Sequence, residues 1–408
     1  MHHKIKDGLY SVGVLNPNMR IFDVVMHTEY GTSYNSYIVK GNEKTALIEA
    51  SHSTFDDAFI ENIKEVCNPE DIDYIVLNHN EPDHSGALAD LLNYAKNARV
   101  VLSRAGSIYI DDITNRTDFE KIVVSDGDII DLGGKTLQFF SVPLVHWPDT
   151  MFTWLKEDRA LFSCDFLGAH YCEPLMFDGK ITQPLAYKQS FKEYYDAIMA
   201  PFSSAVRKGL DVVKGLNVEY ACVSHGPILT KGSLLDDAIE KYTRWSEAPK
   251  KDVSKKEIAI VYASAYGNTF NAAQAIKNGI VDTFKNDGIT AEATIYNVND
   301  YKMKDLQAII NKADGFLVGS CTINRNAVPP IWELLAGVDV INSRNKPVGA
   351  FGSYGWSGEA VANLNSYMKN LTMKVLEKGY KFKFVPNTEE LEKAYDFGAL
   401  YASEWLKK

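Results

Sequence analysis

Residues that commonly bind metals are concentrated in one short segment of the chain. The segment follows the apolar run 74–77, which predicts a buried strand, and Pro82 predicts a turn that folds the neighbouring side chains towards one pocket. Its four potential ligands are His79, Glu81, Asp83 and His84. Imidazole together with carboxylate suits iron, zinc or manganese. We therefore predict a metal site at the end of this strand.

Three later residues extend the same pattern. His146, Asp165 and His225 each follow an apolar, strand-like run and precede a turn. Either histidine, taken alone, is better explained as a hydrogen-bonded structural residue. The complete set favours metal ligation instead, because strands hold side chains rigidly while the loops that follow let them converge.

A different constellation occupies the end of the chain. Three loops rich in Gly, Ser and Thr each follow an apolar strand. The first leads into a helix N-terminus, which favours a phosphate, and it lacks the lysine of a nucleoside-triphosphate loop. A single loop of this kind is better explained as an ordinary turn, but three at successive strand ends predict FMN. The predicted FMN-binding residues are Ser264, Tyr266, Gly267, Asn268, Thr269, Thr322, Ile323, Asn324, Ser353, Tyr354, Gly355, Trp356, Ser357 and Gly358.

The two constellations indicate two domains. No histidine follows residue 225, and a lysine-rich stretch with one proline comes soon after. We place a metal-binding domain at 1–249, a linker at 250–256 and a flavin-binding domain at 257–408. Short strands with interspersed helices in the first domain indicate two sheets flanked by helices. Regular alternation of five strands with helices in the second predicts a doubly wound parallel sheet, with ligand at the carboxyl ends of its strands.

These motifs resemble those of the flavodiiron family, or A-type flavoproteins. Residues 79–84 match the H-x-H-x-D-H pattern of the metallo-β-lactamase fold, except that Glu81 replaces the second histidine as in the flavodiiron variant. The second domain resembles short-chain flavodoxins. The resemblance implies a combined α/β and α+β architecture: an N-terminal metallo-β-lactamase-like αββα sandwich and a C-terminal flavodoxin-like sheet of five parallel strands.

The resemblance also implies a role for each ligand. One iron would be bound by His79, Glu81 and His146, the other by Asp83, His84 and His225, with Asp165 bridging the two. The residue that matches His84 is not a ligand in every family member. The added carboxylate makes the site harder and more anionic, which favours iron over zinc.

Further residues are candidates near the metals. The family has a hydrogen-bonding tyrosine in the segment that contains Tyr195, although core packing explains that aromatic equally well. His27 and His170 are either proton donors or structural residues, and Trp147 is a candidate for the pocket wall. The candidate catalytic residues are Tyr195, His27 and His170.

The activity implied by the resemblance is reduction of O2 to water, of NO to N2O, or of both, with electrons passing through FMN to the diiron site. Members of the family receive electrons from rubredoxin, a rubredoxin reductase chain or reduced F420. Because no rubredoxin-like or NAD(P)H-binding segment is recognisable here, we expect a separate donor. The family assembles as a head-to-tail homodimer, so a dimer or a dimer of dimers is expected.

Two alternatives belong to other functional classes. The first is a metallo-β-lactamase-type zinc hydrolase with a fused flavodoxin domain, and Glu81 argues against it. The second is a non-catalytic electron carrier, and the complete ligand set argues against that.

Composition narrows the remaining possibilities. A formal net charge of −10 disfavours nucleic acid as a partner. No apolar run of about 18 residues predicts a membrane span, and residues 1–7 lack the apolar region of a secretory signal. The five cysteines contain no C-x-x-C pair, which disfavours both a disulfide framework and a thiolate metal site. A reducing cytoplasm is the expected location.

Overall fold

A computed structural model of the chain describes residues 2–247 and 255–406. The described residues form two compact units, one on each side of the gap. Residues 250–254 of the predicted linker lie outside the described residues. The last two residues of that linker, Lys255 and Lys256, belong instead to the first strand of the second unit.

The first unit is built on two β-sheets. Its described strands are β1 (His3–Lys6), β2 (Leu9–Ser11), β3 (Val14–Asn16), β4 (Ile21–Phe22), β5 (Met26–His27), β6 (Thr32–Tyr34), β7 (Tyr37–Lys40), β8 (Thr45–Ile48), β9 (Tyr74–Leu77), β10 (Arg99–Ser103), β11 (Lys121–Val124), β12 (Ile129–Asp131), β13 (Thr136–Ser141), β14 (Met151–Leu155), β15 (Ala160–Cys164), β16 (Tyr220–Val223) and β17 (Leu229–Thr230). One sheet has the order β1-β2-β7-β8-β9-β10-β11 and the other runs from β12 to β17 in sequence order. Two short hairpins, β3–β6 and β4–β5, lie outside both sheets.

Helices cover the outer faces of the two sheets. They are α1 (Asp56–Lys64), α2 (Pro82–Ser85), α3 (Leu88–Tyr94), α4 (Gly106–Thr114), α5 (Pro184–Tyr194), α6 (Ser203–Gly215) and α7 (Leu234–Ser246). A π-helical turn, Tyr195–Met199, continues α5.

The core of the first unit has three apolar layers. Between the sheets, side chains such as Ile48 and Phe162 pack together. Phe59 of α1 packs with apolar residues of β8 to β10 on one outer face. On the other outer face, Phe191 of α5 and Tyr242 of α7 pack with residues of β14 to β16. Helix, sheet, sheet and helix therefore follow one another, which confirms the αββα sandwich.

Strand direction in both sheets brings loop segments to a common edge. The predicted hairpin around Gly41 joins antiparallel strands β7 and β8, and a Cβ at Gly41 would lie 1.9 Å from the carbonyl oxygen of Leu132. After this hairpin, β8, β9 and β10 run parallel to one another. In the second sheet β15 and β16 are also parallel. Parallel strands present their carboxyl ends on the same side, and these ends hold the residues discussed below.

The second unit is a doubly wound sheet with helices on both faces. Its strands are β18 (Lys255–Ala263), β19 (Thr290–Asn297), β20 (Gly315–Ser320), β21 (Thr322–Ile323), β22 (Asn326–Ala327), β23 (Pro347–Tyr354), β24 (Lys374–Val375) and β25 (Tyr380–Lys383). Its helices are α8 (Asn268–Asn286), α9 (Met303–Lys312), α10 (Pro329–Ala336), α11 (Glu359–Asn370) and α12 (Thr388–Leu406). The order β19-β18-β20-β23 is all parallel, with apolar clusters on the two faces.

The fifth strand position differs from the prediction of one continuous strand. Both β24 and β25 pair in parallel with β23, at different heights along it. Between them the chain leaves the ladder, and Asn365 Nδ2 of α11 donates a hydrogen bond of 3.4 Å to the carbonyl oxygen of Leu376. The flavodoxin-like topology is confirmed, but its fifth position holds two short strands.

Across the described part of the chain, none of the helices combines the length and the apolar character needed to cross a membrane.

Candidate functional site

The predicted metal ligands lie in loops at the carboxyl ends of strands in the first unit. The segment after β9 forms the short helix α2 and places four of the ligands there. His146 lies in the connection from β13 to β14, Asp165 directly follows β15, and His225 follows β16. All except His146 are buried, and the His146 side chain is 14% exposed.

One group of ligand atoms gathers around Glu81. The Oε2 atom of Glu81 lies 3.0 Å from His79 Nε2 and 3.2 Å from His146 Nε2. Asp165 completes this group, since its Oδ2 atom lies 3.4 Å from His146 Nε2 and 3.8 Å from His79 Nε2. The group therefore offers two imidazole nitrogens and two carboxylate oxygens.

A second group gathers around Asp83. Its Oδ1 atom lies 3.2 Å from His84 Nε2, and its Oδ2 atom lies 3.1 Å from His225 Nε2. Asp165 takes part here through its other oxygen, since Oδ1 lies 3.2 Å from His84 Nε2 and 3.3 Å from His225 Nε2. Asp165 thus offers one carboxylate oxygen to each group.

The donor atoms fit a pair of cations. Within each of the sets His79-Glu81-His146-Asp165 and Asp83-His84-His225, one ligand atom per residue lies within 4.8 Å of all the others. Both oxygens of Asp83 and the Nε2 atom of His84 are buried and lack well-aligned hydrogen bonds; their contacts are ion pairs of 3.1–3.2 Å with His225, with each other and with Asp165. Buried polar atoms without well-aligned hydrogen bonds are costly, and a bound cation would satisfy them.

The pKa shifts within the cluster also indicate a site suited to cations. Burial alone would raise the pKa of Asp165, but the charge of His84 and hydrogen bonds from His146 and His225 hold it well below its usual range. Burial would lower the pKa of His146, but hydrogen bonds to Asp165 and Glu81 raise it to about 9. The pKa of His225 is likewise held well above its usual range, against burial, by hydrogen bonds to Asp165 and Asp83. These shifts favour an ionised Asp165 and doubly protonated, charged imidazoles at His146 and His225 when no metal is bound.

Two groups that the sequence analysis missed orient the ligands. Asp149 Oδ1 lies 3.1 Å from His79 Nδ1, and its Oδ2 accepts a 2.8 Å hydrogen bond from the backbone N–H of Asn80. His225 Nδ1 lies 2.7 Å from the carbonyl oxygen of Ser33 and donates to it, since a carbonyl only accepts. Both contacts leave Nε2 free as the ligand atom. A buried carboxylate three residues after His146 was the only sequence feature that could have indicated Asp149.

The tyrosine beside the metal cluster is Tyr194, not the predicted Tyr195. Tyr194 is buried, and its hydroxyl donates a 3.0 Å hydrogen bond to Asp165 Oδ1. Tyr195 points elsewhere, with its ring 4.9 Å from that of Tyr242 and 5.0 Å from that of Trp245. Neighbouring residues of a helix lie about 100° apart, so only one of the two can face the site. Both tyrosines are buried, so burial alone does not indicate which of them faces the ligands.

The remaining candidates divide between the pocket and the surface. Trp147 packs edge-on against His79, with 4.8 Å between the ring centroids. His170 is buried beside His225, and its Nδ1 lies 3.0 Å from Thr32 Oγ1. Burial, reinforced by the charge of His225, lowers the pKa of His170 to about 3. His27 is exposed on the hairpin strand β5, outside the cluster of ligand atoms.

A second candidate site lies at the carboxyl ends of β18, β20 and β23 in the other unit. A cavity of about 370 Å³ opens there. The predicted FMN residues that line it are Ser264, Tyr266, Asn268, Thr322, Ile323, Asn324, Ser353, Tyr354, Gly355, Trp356 and Ser357. Ala265, Cys321, Arg325 and Phe384 also line it and were not predicted.

Three predicted FMN residues, Gly267, Thr269 and Gly358, are not among those that line the cavity. Gly267 has a φ of +83° and immediately precedes α8, a conformation that favours glycine. Thr269 is buried, and its Oγ1 lies 3.4 Å from Ser353 Oγ, so it links the first and third loops. Gly358 precedes α11, and a Cβ there would lie 3.1 Å from the ring of Tyr354. These residues shape the loops, while Tyr266 and Trp356 stand at the mouth, each 91% exposed.

Comparison with known proteins identifies both halves of the chain. A family model described as ODP family beta lactamase matches residues 32–226, and a flavodoxin model matches residues 260–398. The flavo-diiron protein FprA2 of Clostridium acetobutylicum is 48% identical over 400 residues, which cover 98% of each chain. The nitric oxide reductase of Moorella thermoacetica is 31% identical over 98% of each chain. The solved rubredoxin:oxygen oxidoreductase of Desulfovibrio gigas is 26% identical, with a TM-score of 0.67 over the full length of both chains.

Metal binding should release protons and strengthen as the pH rises. A metal must displace the protons that the imidazoles carry, since the pKa of His146 is about 9 and that of His225 is held well above its usual value. We expect the affinity of the metal-free protein for Co(II) to increase with pH from neutrality until the pH passes about 9, where the contribution of His146 ends. Visible cobalt bands and calorimetry in two buffers measure affinity and proton release. An affinity that is independent of pH would contradict this account.

Tyr194→Phe and Tyr195→Phe should differ in their effect on the metals. The first removes the hydrogen bond to Asp165, and a hydrogen bond to a charged group contributes about 1.5–3 kcal/mol. We expect Tyr194→Phe to weaken metal affinity by about tenfold or more, and Tyr195→Phe to leave it unchanged. Loss of iron to a chelator, measured over time, compares the two. Equal behaviour of both variants would show that the hydroxyl of Tyr194 has no role in holding Asp165.

Proposed function

The chain belongs to the flavodiiron family, and we propose that it is an oxidoreductase that reduces O2 to water, NO to N2O, or both. Electrons would enter through FMN in the second unit and pass to two irons in the first. His79, Glu81 and His146 would hold one iron, and Asp83, His84 and His225 the other, with Asp165 as the bridge.

The observation that carries this proposal is the position of Asp165. Its two carboxylate oxygens lie in different groups of donor atoms, at 3.4 Å from His146 Nε2 and at 3.2 Å from His84 Nε2. A bridging carboxylate reduces the repulsion between two nearby cations. Glu81 in place of the second histidine of the H-x-H-x-D-H pattern makes the site richer in oxygen donors than the zinc-binding form of this fold, which favours iron.

When bound, the two irons and the flavin supply the electrons and the open coordination positions for a small diatomic substrate. The residues of the chain hold the metal ligands in place. Asp149 and the carbonyl oxygen of Ser33 orient His79 and His225, and Tyr194 restrains Asp165. Trp147 packs against His79 and forms part of the wall.

The residues of the flavin cavity fit a phosphate monoester and a planar ring. The first loop offers the hydroxyl of Ser264 and the amide of Asn268 at the N-terminus of the 19-residue helix α8. A helix N-terminus favours an anion, and neutral donors suffice for it. Tyr354 and Trp356 line the same cavity and offer aromatic surface for the isoalloxazine ring.

Relatives support both substrates. The Moorella relative is named a nitric oxide reductase, and the Desulfovibrio structure is of a rubredoxin:oxygen oxidoreductase. We propose a separate electron donor for this chain, namely rubredoxin, a rubredoxin reductase chain or reduced F420. A cytoplasmic location is proposed with it, since the five cysteines are all free thiols.

We propose that two chains assemble head to tail, so that the FMN of one chain serves the metals of the other. Apolar side chains at both sites support an interface, since Trp356 and Tyr266 are exposed at the flavin cavity. Val24 and Val25 are 90% and 81% exposed, next to Asp23, whose carboxyl faces Glu81. Equilibrium sedimentation tests this assembly, and a fully active monomer would exclude it.

Reconstitution tests the proposed function. The protein is loaded anaerobically with iron and FMN, and O2 or NO consumption is measured with reduced rubredoxin as donor. We expect consumption of at least one gas, coupled to oxidation of the donor. A protein that retains zinc alone and turns over a hydrolytic substrate would be a metallo-β-lactamase-type hydrolase instead.

Gly267→Val should separate the two redox centres. A β-branched residue at a φ of +83° is strongly disfavoured, so the first flavin loop should be displaced and FMN lost. The metals should remain, because their ligands all belong to the other unit. We expect iron content to be kept while donor-driven turnover is lost, measured by metal analysis and the same gas assay.

Gly288→Val is the matched control. Gly288 has a φ of +72°, lies in the same unit and is exposed beyond the end of α8, away from the flavin cavity. It should suffer similar backbone strain and keep its FMN. Retention of FMN by Gly267→Val, or equal loss from both variants, would disprove the assigned role of Gly267.

A further inference from the structure

His84 is held differently from two other imidazoles of the cluster. His79 and His225 each have an oxygen acceptor at Nδ1, at 3.1 Å and 2.7 Å respectively. The Nδ1 atom of His84 lies 3.8 Å from Cys164 Sγ, and sulfur is a weak acceptor. If His84 is to bind a metal through Nε2, its Nδ1 must carry the proton, and this proton needs a better acceptor than a thiol.

Glu49 is a buried carboxylate next to this ring. Its residue is 1% exposed, and its Oε1 accepts a 3.2 Å hydrogen bond from the backbone N–H of Asn78. Its Oε2 is buried without a hydrogen-bond partner. A carboxylate oxygen of Glu49, a ring nitrogen of His84 and the Sγ atom of Cys164 all lie within 4.8 Å of one another.

The backbone fixes Glu49 in this position. Glu49 directly follows β8 with a φ of +64°, and its carbonyl oxygen accepts a 2.6 Å hydrogen bond from Ser36 Oγ. The next residue, Ala50, donates its N–H to the carbonyl oxygen of His84 at 2.7 Å. The backbone that carries the Glu49 side chain is therefore tied both to Ser36 and to the backbone of His84. Left-handed backbone at a residue other than glycine is uncommon and often marks a functional position.

We propose that Glu49 is the positioning residue for His84. Its carboxylate, which has an oxygen within 4.8 Å of a ring nitrogen of His84, would accept the Nδ1 proton in the metal-loaded protein. This would fix the tautomer with Nε2 unprotonated and keep the ring turned towards Asp83 and Asp165. The adjacent Cys164 alone would leave the ring weakly held, so Glu49 decides whether His84 serves as a metal ligand. The proposal rests on the metal-site assignment of the proposed function.

A double-mutant cycle on the iron-loaded protein tests this role. The variants are Glu49→Gln, which keeps the shape but removes the charge, His84→Ala, and the two combined. Iron affinity is measured by competition with a chelator, and Mössbauer spectra report the surroundings of each iron. Loss of an orienting partner typically weakens metal affinity by about 10–100-fold.

We expect Glu49→Gln to weaken the binding of one iron by about 10–100-fold and to change one Mössbauer component. In the His84→Ala background the same change should have no further effect, because Glu49 acts through His84. Glu173→Gln is the matched control, since Glu173 is a buried carboxylate bonded to Tyr171 and Thr182. It should leave both iron components unchanged.

Wild-type affinity and spectra in Glu49→Gln would overturn the proposal, and so would equal losses in both backgrounds. Should Glu49→Gln fail to fold, Glu49→Asp is used in the same cycle, since it keeps the charge but shortens the side chain by one methylene. A wild-type protein that does not bind two irons would refute the site assignment itself. If the wild-type protein binds two irons and the Glu49 variant has the same iron affinity and spectra, only the positioning role of Glu49 is refuted.

Discussion

The first unit depends on the burial of carboxylates and imidazoles in one small volume. Such burial is unfavourable unless the charges are balanced and their polar atoms are satisfied. Ionised Asp165 and protonated His146 and His225 provide that balance when no metal is present. A pair of cations would replace the protons and would also satisfy the atoms of Asp83 and His84 that lack well-aligned hydrogen bonds. The balance of buried charge therefore governs both the affinity of this cluster for metals and the stability of the fold around it.

The αββα sandwich brings these charged side chains together because the carboxyl ends of its parallel strands lie at one edge. Rigid parallel strands β8, β9, β15 and β16 carry residues of the cluster or residues that orient it. Four residues other than glycine at the ends of β8 and β15 have left-handed backbone: Glu49, Ser51, Cys164 and Leu167, with φ of +64°, +59°, +53° and +68°. Such backbone is uncommon for these residue types, and here it accompanies the strand ends that carry Glu49 and Asp165.

The sequence predicted which donor residues gather at one edge, and the two sheet architectures, because both depend on local patterns. Apolar runs mark the strands, and polar residues directly after them mark the edge where they meet. A contact between residues far apart in the sequence, such as that between His79 and Asp149, leaves no local pattern, and Asp149 was therefore not predicted. Tyr195 was predicted in place of Tyr194 because neither residue type nor burial says which of two neighbouring tyrosines faces the ligands, and only the contact with Asp165 does. The split of the fifth strand position into β24 and β25 left no recognisable pattern in the sequence.

Anomalous diffraction at the iron edge from crystals of the iron-loaded protein tests the central claim most directly. The account predicts two peaks per chain in the first unit, one beside His79, Glu81 and His146 and the other beside Asp83, His84 and His225. Asp165 should contact one peak with Oδ2 and the other with Oδ1, as the separation of its oxygens between the two groups implies. A single peak, or an Asp165 carboxylate that contacts only one of two metals, would contradict the account.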